Sequence, residues 1–168
     1  MDRMGSVEVI GFEPIEDLNA DGITDLVVWN PTPRGEGLLL LVSAANGSVL
    51  RGIDHREGGA VASIGDVDRD GAPDLALEEG SVVVVRSTRD DRRLCEFADR
   101  QLGEGRGDLD HDGCADILLL KNWSPGSEPV SPEDARDNAW RWGRMEVMSG
   151  RDGSLLLHVD GEGITFDR

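Results

Sequence analysis

One nine-residue pattern, present three times, constrains this chain more than anything else in it. It reads DLNADGITD from Asp17 to Asp25, DVDRDGAPD from Asp66 to Asp74 and DLDHDGCAD from Asp108 to Asp116. Each copy has an acidic or amide side chain at positions 1, 3, 5 and 9 and glycine at position 6, and each runs straight into an apolar stretch. The first aspartates fall at 17, 66 and 108, offsets of 49 and 42. Spacing of that size marks a supersecondary unit repeated along the chain.

The rest of each unit repeats more loosely. DLVVWN is followed by GLLLLVSAANGSVLRGI, DLALEEG by SVVVVRSTRDDRRLCEF, and DILLLKNW by WGRMEVMSGRDGSLLLHV. The stretches SAANGSVL and SGRDGSLL read as hairpins, with Asn46-Gly47 and Asp152-Gly153 as the turn dipeptides. A segment before each loop, such as AVASIG (60–65), supplies a further strand. Each unit is then four short antiparallel strands, which is the content of a propeller blade. The expected fold is all-β: a partial β-propeller of about three blades, with the acidic loop between the first and second strands of each. The expected boundaries are 1–57, 58–99 and 100–160, with a polar insert at 122–142 in the third blade and a start of a further blade or tail at 161–168. Trp123, Trp140 and Trp142 bracket the insert. They are expected to pack it against its own blade, an aromatic ligand platform being the other reading.

Calcium takes six to eight hard oxygen ligands, and a short loop with oxygens at alternate positions can curl them around one ion. The expected ligands are Asp17, Asn19, Asp21, the Ile23 carbonyl and Asp25 in the first loop. In the second they are Asp66, Asp68, Asp70, the Ala72 carbonyl and Asp74. In the third they are Asp108, Asp110, Asp112, the Cys114 carbonyl and Asp116. An EF-hand would need an acid at position 12 on an exiting helix; that position holds Val28, Leu77 or Leu119. A dockerin-type loop also runs into a helix and ends on a later acid, which this chain lacks. Position 9 therefore closes the expected site as the strand begins. Up to three structural Ca²⁺ are expected.

With these residues laid out, the chain resembles the FG-GAP/VCBS-type repeats of integrin-α-like β-propellers over about residues 7 to 160. VASIGDVDRDGAPDLAL, EDLNADGITDLVVW and GDLDHDGCADILLL carry the likeness, and VSAANGSVL and VMSGRDGSLLL look like later strands of the same repeat. Glu16 stands where the other units have Gly65 and Gly107, a departure from the pattern. The resemblance implies a calcium-binding module without catalysis, structural or binding an unknown protein or carbohydrate, as in cell adhesion. It implies an extracellular or periplasmic parent protein. The alternative is a piece of a secreted propeller-containing enzyme, a polysaccharide lyase or hydrolase, whose catalytic residues are not identifiable here. Propellers of this kind usually have seven blades and closed ones at least four, so three blades imply a longer parent or self-association through open blade edges.

Composition narrows the classes further. The chain of 168 residues has a net charge of −17. Such a chain repels phosphate backbones, so nucleic acid is not an expected partner. No apolar run reaches membrane-spanning length, and MDRMGSVEVIGFEP at the start lacks a signal-peptide stretch. Cys95 and Cys114 are too few for a disulfide framework and their spacing does not demand pairing. No Ser/His/Asp constellation is suggested. Glu78-Glu79 reads as a solubilising pair on a turn, and His111 as a solvent-facing loop residue.

Overall fold

A short β-branched and leucine-rich run leaving an Asp/Gly loop satisfies its backbone as a strand by pairing with its neighbours, and the repeat supplies those neighbours at close range. The computed structural model describes residues 11–30, 37–55, 59–103, 107–122 and 142–162. They form twelve strands and, among the described residues, no helix. The first sheet is β1 (Gly11–Ile15), β2 (Asp25–Asn30), β3 (Leu38–Val42) and β4 (Val49–Asp54). The second is β5 (Val61–Gly65), β6 (Asp74–Glu79), β7 (Val82–Ser87) and β8 (Arg93–Ala98). The third is β9 (Gln101–Leu102), β10 (Ile117–Asn122), β11 (Trp142–Met148) and β12 (Leu155–Glu162). Each sheet is antiparallel, with its four strands in sequence order.

Repetition extends to detail. The pairing of third with fourth strand shifts register at Leu41/Val42, Val85/Arg86 and Val147/Met148, the same place in each sheet. The turns that follow close alike: the Ser43, Ser87 and Ser149 N–H groups donate to the carbonyls of Ser48, Arg92 and Ser154 at 2.9, 3.0 and 2.8 Å. The sequence singled out two of these hairpins. The middle one, STRDDRRL, has Asp91 where the others have glycine, and Asp91 takes the same left-handed backbone, φ 65° against 75° at Gly47 and 71° at Gly153.

The sheets stack face to face. Ile15, Val27, Leu39, Leu41 and Ile53 of the first sheet pack with Val61, Leu75 and Leu77 of the second. Ala62, Ile64, Ala76, Val83 and Val85, on the other side of the second sheet, pack with Leu102, Ile117 and Leu119 of the third. The second sheet is therefore covered on both faces, and its run VVV (83–85) is fully buried. Each such Val or Leu contributes about 1.5–3 kcal/mol of burial. Polar ties link the layers: the Ser63 hydroxyl donates to Glu16 at 2.9 Å, and the Ala115 N–H to the Ile64 carbonyl at 3.0 Å. Glu16, the departure from the repeat's glycine, thus joins the first loop to the second sheet. Residues 123–141 of the insert, with Trp123 and Trp140, and the tail from 163 lie outside the described residues.

Candidate functional site

Each acidic loop joins the first and second strands of its sheet, and the three share one internal wiring. The position-1 aspartate receives the N–H groups of positions 5 and 6. These are Asp21 and Gly22 to Asp17 (3.1 and 2.6 Å), Asp70 and Gly71 to Asp66 (3.0 and 2.9 Å), and Asp112 and Gly113 to Asp108 (both 2.9 Å). The position-3 oxygen of Asn19, Asp68 or Asp110 receives the position-5 N–H at 3.0, 3.0 and 3.1 Å. The position-5 carboxylate receives the N–H of Ile23, Ala72 or Cys114 at 2.9, 2.9 and 2.8 Å. Two left-handed residues make the curl. One is the expected glycine, φ 84°, 89° and 91° at Gly22, Gly71 and Gly113; the other is position 4, with φ 60°, 62° and 60° at Ala20, Arg69 and His111. A Cβ-bearing residue in that region is held there by its surroundings. The exposed position of His111 follows from that curl.

Position 9 does something the sequence did not indicate. Asp25, Asp74 and Asp116 are buried at the foot of the second strand, and one oxygen of each receives the N–H of position 2: Leu18 at 2.9, Val67 at 2.8 and Leu109 at 2.6 Å. In the first and third loops the other oxygen is also engaged. Ala44 donates to Asp25 at 3.2 Å and Gly150 to Asp116 at 3.3 Å, tying each loop to the hairpin of its own sheet. In the second loop, Oδ1 of Asp74 is buried and has no hydrogen-bond partner.

Asp74 also belongs to a donor set suited to a hard cation. Carboxylate oxygens of Asp66, Asp68 and Asp74 lie within 4.8 Å of one another, as do those of Asp108, Asp110 and Asp112. Asp70 and Asp116 fall outside these two triads, and the first loop, with Asn19 at position 3, forms no such carboxylate triad among the described residues. The electrostatics agree. Burial, with the Asp68 and Asp70 charges, pushes Asp74 up from 3.8 to about 7 against the Val67 N–H bond. Burial and the Asp112 charge also raise Asp110. At position 1 the backbone wins: the Gly22 N–H holds Asp17 below the ordinary value, and at Asp108 the Gly113 and Asp112 N–H groups outweigh burial. The first and third loops thus favour the ionised form of Asp17 and Asp108, and the second and third crowd three carboxylates together, a cost a bound cation reverses.

Arginines from the hairpins already meet part of that charge. Arg92 pairs with Asp68, Arg89 with Asp70 at 3.6 Å and Arg151 with Asp112 at 3.3 Å. The first sheet has Ala45 at the place of Arg89 and Arg151. Such partly exposed pairs are worth at most about 1 kcal/mol. Cys114 and Cys95 are free thiols, and burial raises both. The Cys114 thiol lies 3.7 Å from the Asp66 carbonyl, so the third loop sits beside the second.

The Glu78-Glu79 pair belongs to β6 rather than to a turn. Glu78 accepts the Leu102 N–H at 3.0 Å across to the third sheet, and Glu79 pairs with Arg86 and Arg93 at 3.4 and 2.8 Å. Among the described residues no helix is long and apolar enough to cross a membrane. No family model and no curated protein matches the chain.

Proposed function

We propose that this chain is a calcium-binding β-propeller repeat module of the FG-GAP/VCBS type, whose ions brace the blades and whose role is structural or the binding of protein or carbohydrate. The observation that carries the reading is the grouping of carboxylate oxygens of Asp66, Asp68 and the buried Asp74 within 4.8 Å of one another. A donor set of oxygens alone, outside any regular octahedron, suits calcium over magnesium, which demands a near-ideal octahedron. The second loop is the strongest site, the third follows with Asp108, Asp110 and Asp112, and the first, with its Asn19, is the weakest. When bound, the ion supplies charge compensation and fixes the loop at the foot of β6. Three stacked four-stranded sheets support the propeller architecture, and the engagement of Glu78 and Glu79 in structural contacts supports a role without catalysis.

Extracellular calcium modules bind at about 10⁻⁴–10⁻³ M, and an extracellular or periplasmic setting fits sites of that class. The test is thermal melting in EGTA and across calcium up to about 10 mM, with magnesium as the control. At a calcium concentration one hundred times Kd, linkage gives about 2.7 kcal/mol, a rise of about 5–10 °C for a domain of this size. Equal melting in calcium and in EGTA would overturn the reading.

A further inference from the structure

The repeat fixes which way each sheet face looks. Residues one and three places after the position-9 aspartate look back along the stack: Leu75 and Leu77 pack on the first sheet, Ile117 and Leu119 on the second. The residue two places after it looks forward: Val27 packs toward the second sheet, Ala76 toward the third. The same rule defines two faces that neither buried cluster covers.

On the back of the first sheet, pairing lines up Phe12, Val28 and Leu40 in one row and Pro14, Leu26 and Val42 in the next. On the front of the third sheet it lines up Leu118, Val147 and Leu157, then Leu120, Met145 and Val159. Both faces carry two apolar rows across three strands, with Gly52 of β4 and Gln101 of β9 extending one row of each at the fourth. Phe12 is 66% exposed on one; on the other Leu157 and Val159, towards the β12 edge, are 46% and 40% exposed, while Val147 and Leu120 in the same rows are 8% and 9% exposed. Contiguous exposed apolar side chains of this kind mark a candidate interaction surface.

We propose that a second copy of this chain covers both faces. The front of the third sheet in each copy stacks on the back of the first sheet in the other, closing a ring of six sheets about a two-fold axis. The contact is a continuation of one the chain already makes twice internally, front face on back face, with residues at the same repeat positions. Six blades lie within the four to eight that closed propellers use. Both contacts of the ring are equivalent, so assembly stops at two copies instead of growing into fibres. Since each copy carries −17, association tightens with added salt as the repulsion is screened.

The inference rests on the blade stacking of the proposed module but not on its calcium, and the test separates them. The chain is sedimented from about 1 to about 200 μM, in calcium and in EGTA, beside Phe12→Asp and Leu157→Asp. Both substitutions fall on exposed side chains and should leave the melting of the single copy unchanged. The wild type is expected to dimerise, and each variant to associate at least tenfold more weakly. An equimolar mixture of the two variants retains one intact contact, so it should associate more strongly than either alone. A wild type that stays monomeric, open polymers, a variant that still dimerises, or a mixture no stronger than its components would each overturn the proposal. Calcium binding by a monomer would overturn the ring alone, and calcium-indifferent dimers the metal reading alone.

Discussion

Asp74 carries two opposed demands. Its Oδ2 holds the Val67 N–H at 2.8 Å and so shapes the loop, while its Oδ1 is buried without a partner and the carboxylate as a whole groups with those of Asp66 and Asp68. In chelator its folded value near 7 stands above its ordinary 3.8, so between those limits the folded chain holds a proton that the unfolded chain has released. Stability contributed by the protonated group is complete below the lower value and falls as pH rises through the higher one. Asp74→Asn keeps an acceptor for Val67 and removes the ionisation. In EGTA it should melt a few degrees above wild type at pH 8 and close to level with it near pH 3, below the lower value, where the wild-type side chain is uncharged folded and largely so unfolded. In calcium at pH 8 the order should reverse, because the variant loses a ligand. Melting curves at the two pH values, with and without metal, check both signs. The alternating oxygens of the loop were legible in the sequence because their spacing is local. The tie from position 9 to position 2 and to the hairpin was not, since Asp25 and Asp116 meet Ala44 and Gly150 only once the strands have paired.

At the level of the element, loop and hairpin form one unit at the end of each sheet, and their join is tightest in the third. A Cβ on Gly150 would lie 2.0 Å from the Ala115 carbonyl oxygen, whereas the equivalent places in the other hairpins hold Ala44 and Thr88. Gly150→Ala must therefore push the β11–β12 hairpin off the third loop. The expected cost is about 1–3 kcal/mol, a fall of about 2–4 °C per kcal/mol for a domain of this size. Its calcium-dependent shift should shrink too, while Ala44→Gly leaves the metal response of the first loop as it was. Calorimetry of the two variants in calcium and in EGTA distinguishes the pair. Strand order and the turns at Gly47 and Gly153 were legible because glycine and apolar alternation announce them. Asp91 concealed the middle hairpin: a side chain occupying a left-handed position leaves no mark in composition. Glu78 and Glu79 were misplaced for a related reason, since a charged pair at a strand's end looks like a turn until Leu102 and Arg93 are brought against it.

For the molecule as a whole, the three sheets are unequal although their sequences repeat. The second is buried on both faces, and the other two each present an apolar face beyond the described stack. Sequence alone shows alternation in every unit but not which sheet is inner, because Leu26, Leu75 and Ile117 occupy the same repeat position. Stacking order decides it: Leu75 is fully buried and Leu26 is half-buried. In a stack whose layers contact only their neighbours, stability concentrates where both neighbours are present. Hydrogen exchange should then be slowest in β6 and β7, whose buried Leu75, Leu77 and Val83–Val85 lie between two layers. It should be faster in β12, where Leu155, Leu157 and Val159 are 49%, 46% and 40% exposed. Leu77→Ala leaves a cavity between the first and second sheets and should cost about 2–5 kcal/mol. That loss should speed exchange in the first sheet as well as the second, because Leu77 packs in one cluster with Val27, Leu39 and Ile53. Acceleration confined to β5–β8 would mean that the layers unfold independently, and the faces between them would then hold the stack together far less than their burial implies.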